Sequence, residues 1–204
     1  MFLFLPFFLV FCLWLRFEFR KSSNQAEHSK QNRLELEREA NFTRKKSIDN
    51  LHYITFSEKS IPIIEINDDL IKKYETSLLK FVDRKVLNLS SMSNTDLKKE
   101  YGPANLTILS EYDENFSELI RCLHNYALRL HELDYTADAK TVLEYAISIG
   151  SDMGSSYRLL ADLYKNDNQP EKLQSLIEQT QNLNPLLRDS VTSYLTQILA
   201  DFEH

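Results

Sequence analysis

Apolar residues in the second half of this 204-residue chain recur at helical spacing, and two such stretches match at a fixed offset. Ala127, for example, has its equivalent in Ala161. A repeat period of about 34 residues, which this offset matches, is typical of a solenoid built from pairs of helices. The matching positions are Leu123 and Tyr157, Tyr126 and Leu160, Ala127 and Ala161, Leu130 and Tyr164, Ala139 and Leu173, and Leu143 and Ile177.

Residues 47–112 show a different pattern, which predicts an extended arm followed by a region of short helices. LHYITF (51–56) alternates as a strand does, and Leu51, Tyr53 and Thr55 share one side. Pro62 cannot donate a ladder hydrogen bond, so IPIIEI is predicted as an edge or extended arm.

Capping residues predict the helices that follow the arm. Asn67 or Asp68 can cap a helix that runs to about Leu87 and buries Ile71, Tyr74, Leu78, Phe81 and Val82. Ser93 to Asp96 resembles a capping box for a short helix that ends near Gly102, and Pro103 can begin another short turn. Asp113 is then predicted to cap the longest helix. Its buried stripe is predicted as Phe116, Leu119, Ile120, Leu123, Ala127 and Leu130. Helices between 68 and 110 are expected to cover the exposed end of the first repeat.

Residues 1–15 are apolar without interruption, and they predict a membrane anchor over residues 1–19. A spanning helix needs about 20 apolar residues, so this segment spans only if Phe17 and Phe19 sit at the interface while Arg16 and Arg20 reach outward. A cleaved signal peptide fits less well, because no basic residue precedes the apolar run. A lipoprotein signal ending at Cys12 is disfavoured because Phe11 occupies the position that must be small.

Basic residues follow the leader on one side only, which predicts that the body faces the cytoplasm. Residues 20–46 are predicted as a polar juxtamembrane tether, in which QNRLELEREA forms either a short exposed helix or a disordered spacer. A cytoplasmic body makes the glycosylation sequons at Asn41, Asn88 and Asn105 coincidental.

Charge and cysteine content restrict the function further. Residues 1–46 carry nine Lys or Arg against five Asp or Glu, whereas residues 47–204 carry fifteen against twenty-five. An acidic body repels phosphate backbones, so nucleic acid is not expected as a partner. Cys12 lies in the leader, which leaves Cys122 as the lone thiol of the body and excludes a disulfide framework.

YRLLADLYKNDNQPEKLQSLI, within residues 157–177, resembles a tetratricopeptide repeat (TPR). The aromatic, large, small and aromatic positions of that family's first helix are filled by Tyr157, Leu160, Ala161 and Tyr164. The preceding unit retains the small residue as Ala127 but has leucine in the first aromatic position. Together with the leader, the two units also resemble uncharacterised bacterial single-pass membrane proteins.

The resemblance implies a mainly α-helical fold, a TPR-like α-solenoid of two helical hairpins plus a capping helix over residues 113–204. The capping helix shows a third copy of the pattern at Val191, Tyr194, Leu195 and Ile198, and Asn184 can cap it. An ordinary helical bundle is the alternative, because about three units are normally needed for a shared core.

No motif in the chain indicates catalysis, a cofactor or a metal. The three glycines form no phosphate-binding loop. His124 and His131 are too far apart along a helix for the spacing of four that metal sites on helices use, so a solvated or groove-facing role is preferred. Cys122 is predicted to pack as a small apolar side chain.

In the TPR family the first helices line a concave groove, and the resemblance implies that groove here. The corresponding positions are Arg121, His124, Leu128, His131, Arg158, Asp162, Lys165, Thr192 and Thr196. Leu128 and Asp162 depart from the family members that clamp a carboxyl terminus, and the mixed charge suits a polar peptide instead. A solvated face without a ligand is the alternative.

These features together predict a non-catalytic membrane-tethered scaffold. It would bind a protein or peptide partner at the cytoplasmic face of the cell membrane. A structural homo-oligomer attached to the membrane, paired through the capping helix or the arm at 51–66, is the alternative.

Overall fold

The chain divides into two compact units, one formed by Met1–Asn50 with Met92–Thr107 and the other by Leu51–Ser91 with Ile108–His204. The computed structural model describes residues 4–202 and is mainly helical, as predicted. Within that range the only β pairing outside helices is a single antiparallel bridge between Ile54 and Val86.

The first unit contains a long helix, α1 (Phe4–Asn41), and a short one, α3 (Asn94–Tyr101). Glu37 on α1 pairs with Lys98 and accepts a hydrogen bond from Thr95 at 2.6 Å, and Ala40 is fully buried. These contacts hold the end of α1 against α3. Of the two alternatives for the predicted tether, the structure therefore has the helix, which begins earlier than QNRLELEREA and is continuous with the leader.

The predicted anchor coincides with the start of α1, apart from residues 1–3, which lie outside the described range. Among residues 4–202, no helix combines the length and the apolar character needed to cross a membrane. The described part of the apolar run extends only from Phe4 to Leu15, and Arg16 follows it.

The predicted capping box of α3 is confirmed. The Ser93 hydroxyl accepts from the backbone N–H of Asp96, while the Asp96 carboxylate accepts from the backbone N–H of Ser93 at 3.0 Å. The helix ends at Gly102, whose φ is +86°. A Cβ at that position would lie 2.7 Å from the carbonyl oxygen of Arg44, so both the backbone angle and the space require glycine.

In the second unit, two residues of the arm, Ile54 and Phe56, pack against the core. Phe56 is buried and Ile54 lies against the same cluster, while Thr55 is exposed, and the segment forms no strand beyond the single bridge. After Pro62 the chain has no helix or strand until α2 (Asp69–Leu79), and a tight turn joins the backbone N–H of Ile66 to the carbonyl oxygen of Ile64 at 2.8 Å.

Asp68 caps α2, and its carboxylate accepts the backbone N–H groups of Leu70 and Ile71. The predicted continuation to Leu87 is wrong. The chain leaves the helix because the backbone of Val86 bonds to Ile54 at 2.9 Å and that of Leu87 bonds to Tyr112. Val82, predicted in the buried face, is 43% exposed.

Of the helices predicted to cover the first repeat, α2 packs against α4 (Leu106–Glu132), and both contribute to one buried cluster. Arg129 on α4 donates to Asp68 at 2.6 Å, and the Tyr126 hydroxyl donates to Glu75 at 2.9 Å. The hydrogen bond and charge of Arg129 lower the pKa of Asp68 to about 2. The carboxylate of Asp68 therefore both caps α2 and forms the ion pair with Arg129.

Helix α4 starts at Leu106, well before the predicted cap at Asp113, because the turn at Pro103–Asn105 leads directly into it. Asp113 lies inside the helix, and its carboxylate accepts the backbone N–H of Leu89 at 2.8 Å. The predicted buried stripe is confirmed at every position, namely Phe116, Leu119, Ile120, Leu123, Ala127 and Leu130.

Four further helices complete the second unit. They are α5 (Thr136–Ser148), α6 (Gly154–Asn166), α7 (Pro170–Gln179) and α8 (Pro185–Ala200). Helix α6 packs against α5, α7 and α8, and α7 packs against α8. Asn184 caps α8, as predicted, by accepting the backbone N–H of Leu186 at 3.1 Å.

The turns that follow α4 and α6 have the same backbone conformation at equivalent positions of the two repeats. Asp134 and Asn168 both have positive φ, at 65° and 54°. The backbone N–H of Tyr135 bonds to Leu130, and that of Gln169 bonds in the same way to Tyr164, each at 2.9 Å. The two helical pairs therefore share one turn geometry.

Ala161 tests how closely the helices of the second unit must approach. Ala161 is fully buried on α6, so we expect Ala161→Leu to lower the free energy of unfolding by about 1–3 kcal/mol through overpacking. Urea denaturation followed by circular dichroism measures the change.

Ala137 on α5 is exposed and provides the matched control. Ala137→Leu is expected to change the free energy of unfolding by less than about 0.5 kcal/mol. Equal effects of the two leucines would show that α6 does not require a small residue.

Candidate functional site

The nine predicted groove residues lie on α4, α6 and α8, and several of them connect neighbouring helices. Nδ1 of His124 on α4 lies 3.1 Å from the hydroxyl of Ser156, which is fully buried on α6. This contact places the first helices of the two repeats side by side. Burial lowers the pKa of His124, so the neutral imidazole is the favoured form.

Three predicted residues of α6 pair with α8 or with the residue that follows it. Arg158 donates to the Ser190 hydroxyl at 2.7 Å and also lies over the Tyr194 ring, 5.6 Å from its centroid. The Tyr194 hydroxyl donates to Asp162 at 2.8 Å, which raises the pKa of Tyr194. Lys165 lies 2.5 Å from a carboxylate oxygen of Asp201.

These pairs change the chemistry expected of the face. The sequence predicts that Arg158, Asp162 and Lys165 contact a ligand. In the structure, each side chain already forms a hydrogen bond within the chain. A ligand at these positions must share or displace an internal contact, which lowers the affinity that each group can contribute.

Of the four predicted groove residues on α4, Arg121 and Leu128 are exposed, and within residues 4–202 no hydrogen bond or ion pair engages Arg121. His131 is partly buried, and its Nδ1 has no hydrogen-bond partner within that range. Leu128 is 38% exposed, so α4 presents one apolar and one cationic group at this surface.

The predicted residues of α8 do not lie equally on the face. The Thr192 hydroxyl is 2.8 Å from that of Thr180, a fully buried residue in the turn after α7. Thr192 thus reaches toward α7. Thr196 is exposed, but its hydroxyl donates to the carbonyl oxygen of Thr192, one turn earlier in the same helix.

In the part of the chain that the structure describes, no three His, Cys, Asp or Glu side chains gather as a metal site would require. Cys122 is buried, as predicted for a packed apolar thiol, and its Sγ lies 3.6 Å from the carbonyl oxygen of Tyr74. Burial, with the charge of Glu118, raises the pKa of this thiol to about 11.

Two of the three sequons are engaged in the fold. Asn105 is buried and its amide donates to the carbonyl oxygens of Lys46 and Tyr101. The amide of Asn88 donates to the carbonyl oxygen of Gly150 at 3.1 Å. Both amides therefore have structural roles.

The second unit contains a cleft of about 580 Å³ that the sequence did not predict. Residues 88–91, the turn after α5 and the turn before α8 surround it. These three segments are far apart along the chain, so only the tertiary fold brings their polar residues together. In the sequence, these segments stand out only through the sequon at Asn88 and the helix cap at Asn184.

No protein-family model, curated protein sequence or solved structure matches this chain.

Because burial lowers the pKa of His124 at its contact with Ser156, the free energy of unfolding is expected to depend on pH. The pKa of His124 is lowered in the fold, so below pH ~6.5 the unfolded chain binds more protons than the folded one. We therefore expect the urea midpoint to fall as the pH drops from 7.5 to 5.5, and to fall less in His124→Gln.

His52 is exposed and serves as the comparison for this measurement. His52→Gln is expected to keep the full pH dependence of the parent chain. An identical pH dependence in the parent chain and in His124→Gln would show that His124 is not its source.

Proposed function

We propose that residues 113–204 form a TPR-like solenoid of two helical hairpins and a capping helix, which binds a protein or peptide partner without catalysis. The observation that carries the proposal is the shared turn geometry at Asp134 and Asn168, which occupy equivalent positions in the two repeats. Full burial of Ala127 and Ala161 at equivalent positions supports the same register.

The face formed by α4, α6 and α8 is the proposed binding surface. Contacts from His124 to Ser156 and from Arg158 to Ser190 hold these helices side by side, so their outward groups form one continuous surface. A rigid surface loses little entropy when a ligand binds. The internal pairing of Arg158, Asp162 and Lys165 favours a partner that contacts α4 first, at Arg121 and Leu128.

The partner is proposed to be an extended or helical polypeptide with an apolar anchor and an acidic group. Leu128 offers an exposed apolar contact, and Arg121 a cation on the same helix. Exposed apolar groups next to a charge are typical of surfaces that bind peptides.

We further propose that residues 1–19 attach the protein to the cell membrane as a single span, with the repeat domain cytoplasmic. The uninterrupted apolar run from Met1 to Leu15 and the cations that follow support this proposal. Attachment would raise the effective concentration of the binding face near membrane-bound partners.

A membrane-attached homo-oligomer is the second candidate, and the capping helix supplies the observation that favours it. Leu186 is 89% exposed and Leu187 is 42% exposed at the start of α8. The terminal helix of a solenoid usually carries a polar outer face, so two exposed leucines there would suit contact with a second copy.

Leu128 provides the test of the binding face. We expect Leu128→Glu to reduce partner capture by at least ~10-fold, since a buried charge at a binding hot spot costs more than about 1.4 kcal/mol. Tagged full-length protein is purified from membranes, retained proteins are quantified by mass spectrometry, and the best candidate is titrated in purified form.

Leu70 on α2 is 44% exposed and provides the matched control, as Leu70→Glu adds the same charge outside the face. Capture is expected to survive this change. If both variants retain the same proteins as the parent, the face is not the site. A concentration-independent dimer without other partners in light scattering would favour the second candidate.

The proposed topology predicts the labelling of an introduced cysteine. Ser29 is exposed on α1, so Ser29→Cys in a Cys12→Ser background should react with an impermeant maleimide only after lysis. The buried Cys122, with its raised pKa, contributes little background.

An exposed position in the repeat domain, Ser193→Cys, is expected to behave in the same way. Labelling of both in intact cells would reverse the orientation. Release of the protein from membranes by alkaline carbonate would contradict the span.

A further inference from the structure

The cleft at the loop edge of the second unit has the size and enclosure of a ligand site. Its volume of about 580 Å³ lies within the range of roughly 300–1,000 Å³ that is usual for ligand pockets. It lies beside the turns that connect one helical pair to the next. None of the nine residues of the proposed binding face lines it.

Hydrogen bonds fix two of the three segments that form the cleft. The amide of Asn88 donates to Gly150, and its side-chain oxygen accepts from the Ser90 hydroxyl at 2.7 Å. Gly150 has a φ of +90°, and a Cβ there would lie 2.9 Å from the Asn88 amide nitrogen. The segment at 88–91 is therefore held against the turn after α5, and this wall exists before any ligand arrives.

Tyr157 forms part of the lining. Its buried hydroxyl donates to the carbonyl oxygen of Ser151 at 3.2 Å. Burial, together with the negative charge of Asp152, raises the pKa of Tyr157 to about 12. The hydroxyl is thus protonated and already engaged, and the charge of Asp152 acts inside the cleft.

Asp152 is the one charged side chain among the described residues that line the cleft. It is half-buried, and within residues 4–202 no cation pairs with its carboxylate. The neighbouring polar groups are hydroxyls and amides, including Ser91, Gln179 and Asn184. A half-buried unpaired carboxylate favours a cation and disfavours phosphate or nucleic acid.

We propose that this cleft binds an extended peptide segment that places a lysine or arginine side chain against Asp152. The amide and hydroxyl groups at Ser91, Gln179 and Asn184 would bond to the peptide backbone, and Ile147 and Leu183 would contact the aliphatic stem. The site adds a second recognition surface, and it does not depend on the face formed by α4, α6 and α8.

The test uses the full chain in mild detergent and a labelled, capped peptide, Gly-Ser-Lys-Ser-Gly. Fluorescence anisotropy is expected to show saturable binding. Asp152→Asn should weaken it by ~10-fold, which corresponds to the loss of one charge-assisted hydrogen bond. Ser91→Tyr, which narrows the cleft and leaves its charge unchanged, should weaken binding as well.

Asp83 is exposed and does not line the cleft, so Asp83→Asn is the matched control for loss of one negative charge, and it should leave the affinity unchanged. Peptides with norleucine or glutamate in place of lysine should bind at least ~10-fold more weakly. Thermal unfolding of each variant checks that the fold is retained.

Three results would overturn the proposal. The first is no binding of the lysine peptide at millimolar concentration. The second is equal affinity for lysine and norleucine, which would assign the cleft to apolar groups. The third is equal weakening by Asp152→Asn and Asp83→Asn, which would indicate general attraction to the acidic body. None of these results depends on whether Leu128→Glu affects partner capture.

Discussion

The full burial of two alanines at equivalent helix positions is the constraint on which the packing of the second unit depends. Helix axes in proteins approach to about 8–10 Å, and small residues at the contact permit the short end of that range. Ala127 and Ala161 are both fully buried, and α6 contacts α5, α7 and α8 together. A larger side chain at a buried alanine of α6 would therefore force a neighbouring helix or side chain to shift. The large residues beside the alanines, such as Tyr126 and Leu160, then fill the core between the helices.

The turns within the two helical pairs share one backbone conformation, whereas the connections between successive pairs do not. Asp134 and Asn168 adopt positive φ, a conformation that Asp and Asn tolerate better than most residues. The connections between successive pairs differ. The first uses Gly150 with a φ of +90°, whereas the second passes through a short 3-10 helix, Thr180–Asn182. Thr180 is fully buried and contacts Thr192, so the last helix joins its neighbours through its own set of contacts. The cleft forms at these two unlike connections.

Local signals in the sequence were enough to predict the helical stripes and several caps. The stripe on α4, the capping box at Ser93 and the cap at Asn184 depend only on residues close together along one helix. The predicted helix boundaries are wrong where they depend on hydrogen bonds to residues far away along the chain. Helix α2 stops early because Val86 pairs with Ile54, and Asp113 bonds to Leu89 instead of capping a helix. The internal partners of Arg158, Asp162 and Lys165 likewise depend on how α6 meets α8, which spacing along the chain does not reveal.

The ion pair between Asp68 and Arg129 has a consequence for the order in which the second unit would come apart in acid. The Asp68 carboxylate keeps its charge until the pH approaches about 2, so the ion pair between α2 and α4 persists in moderately acidic solution. The contact between α4 and α6 includes His124, whose pKa is lowered by burial, so its contribution to stability falls as the pH drops below ~6.5. Acidification would therefore destabilise the contact at His124 before it neutralises the carboxylate of Asp68.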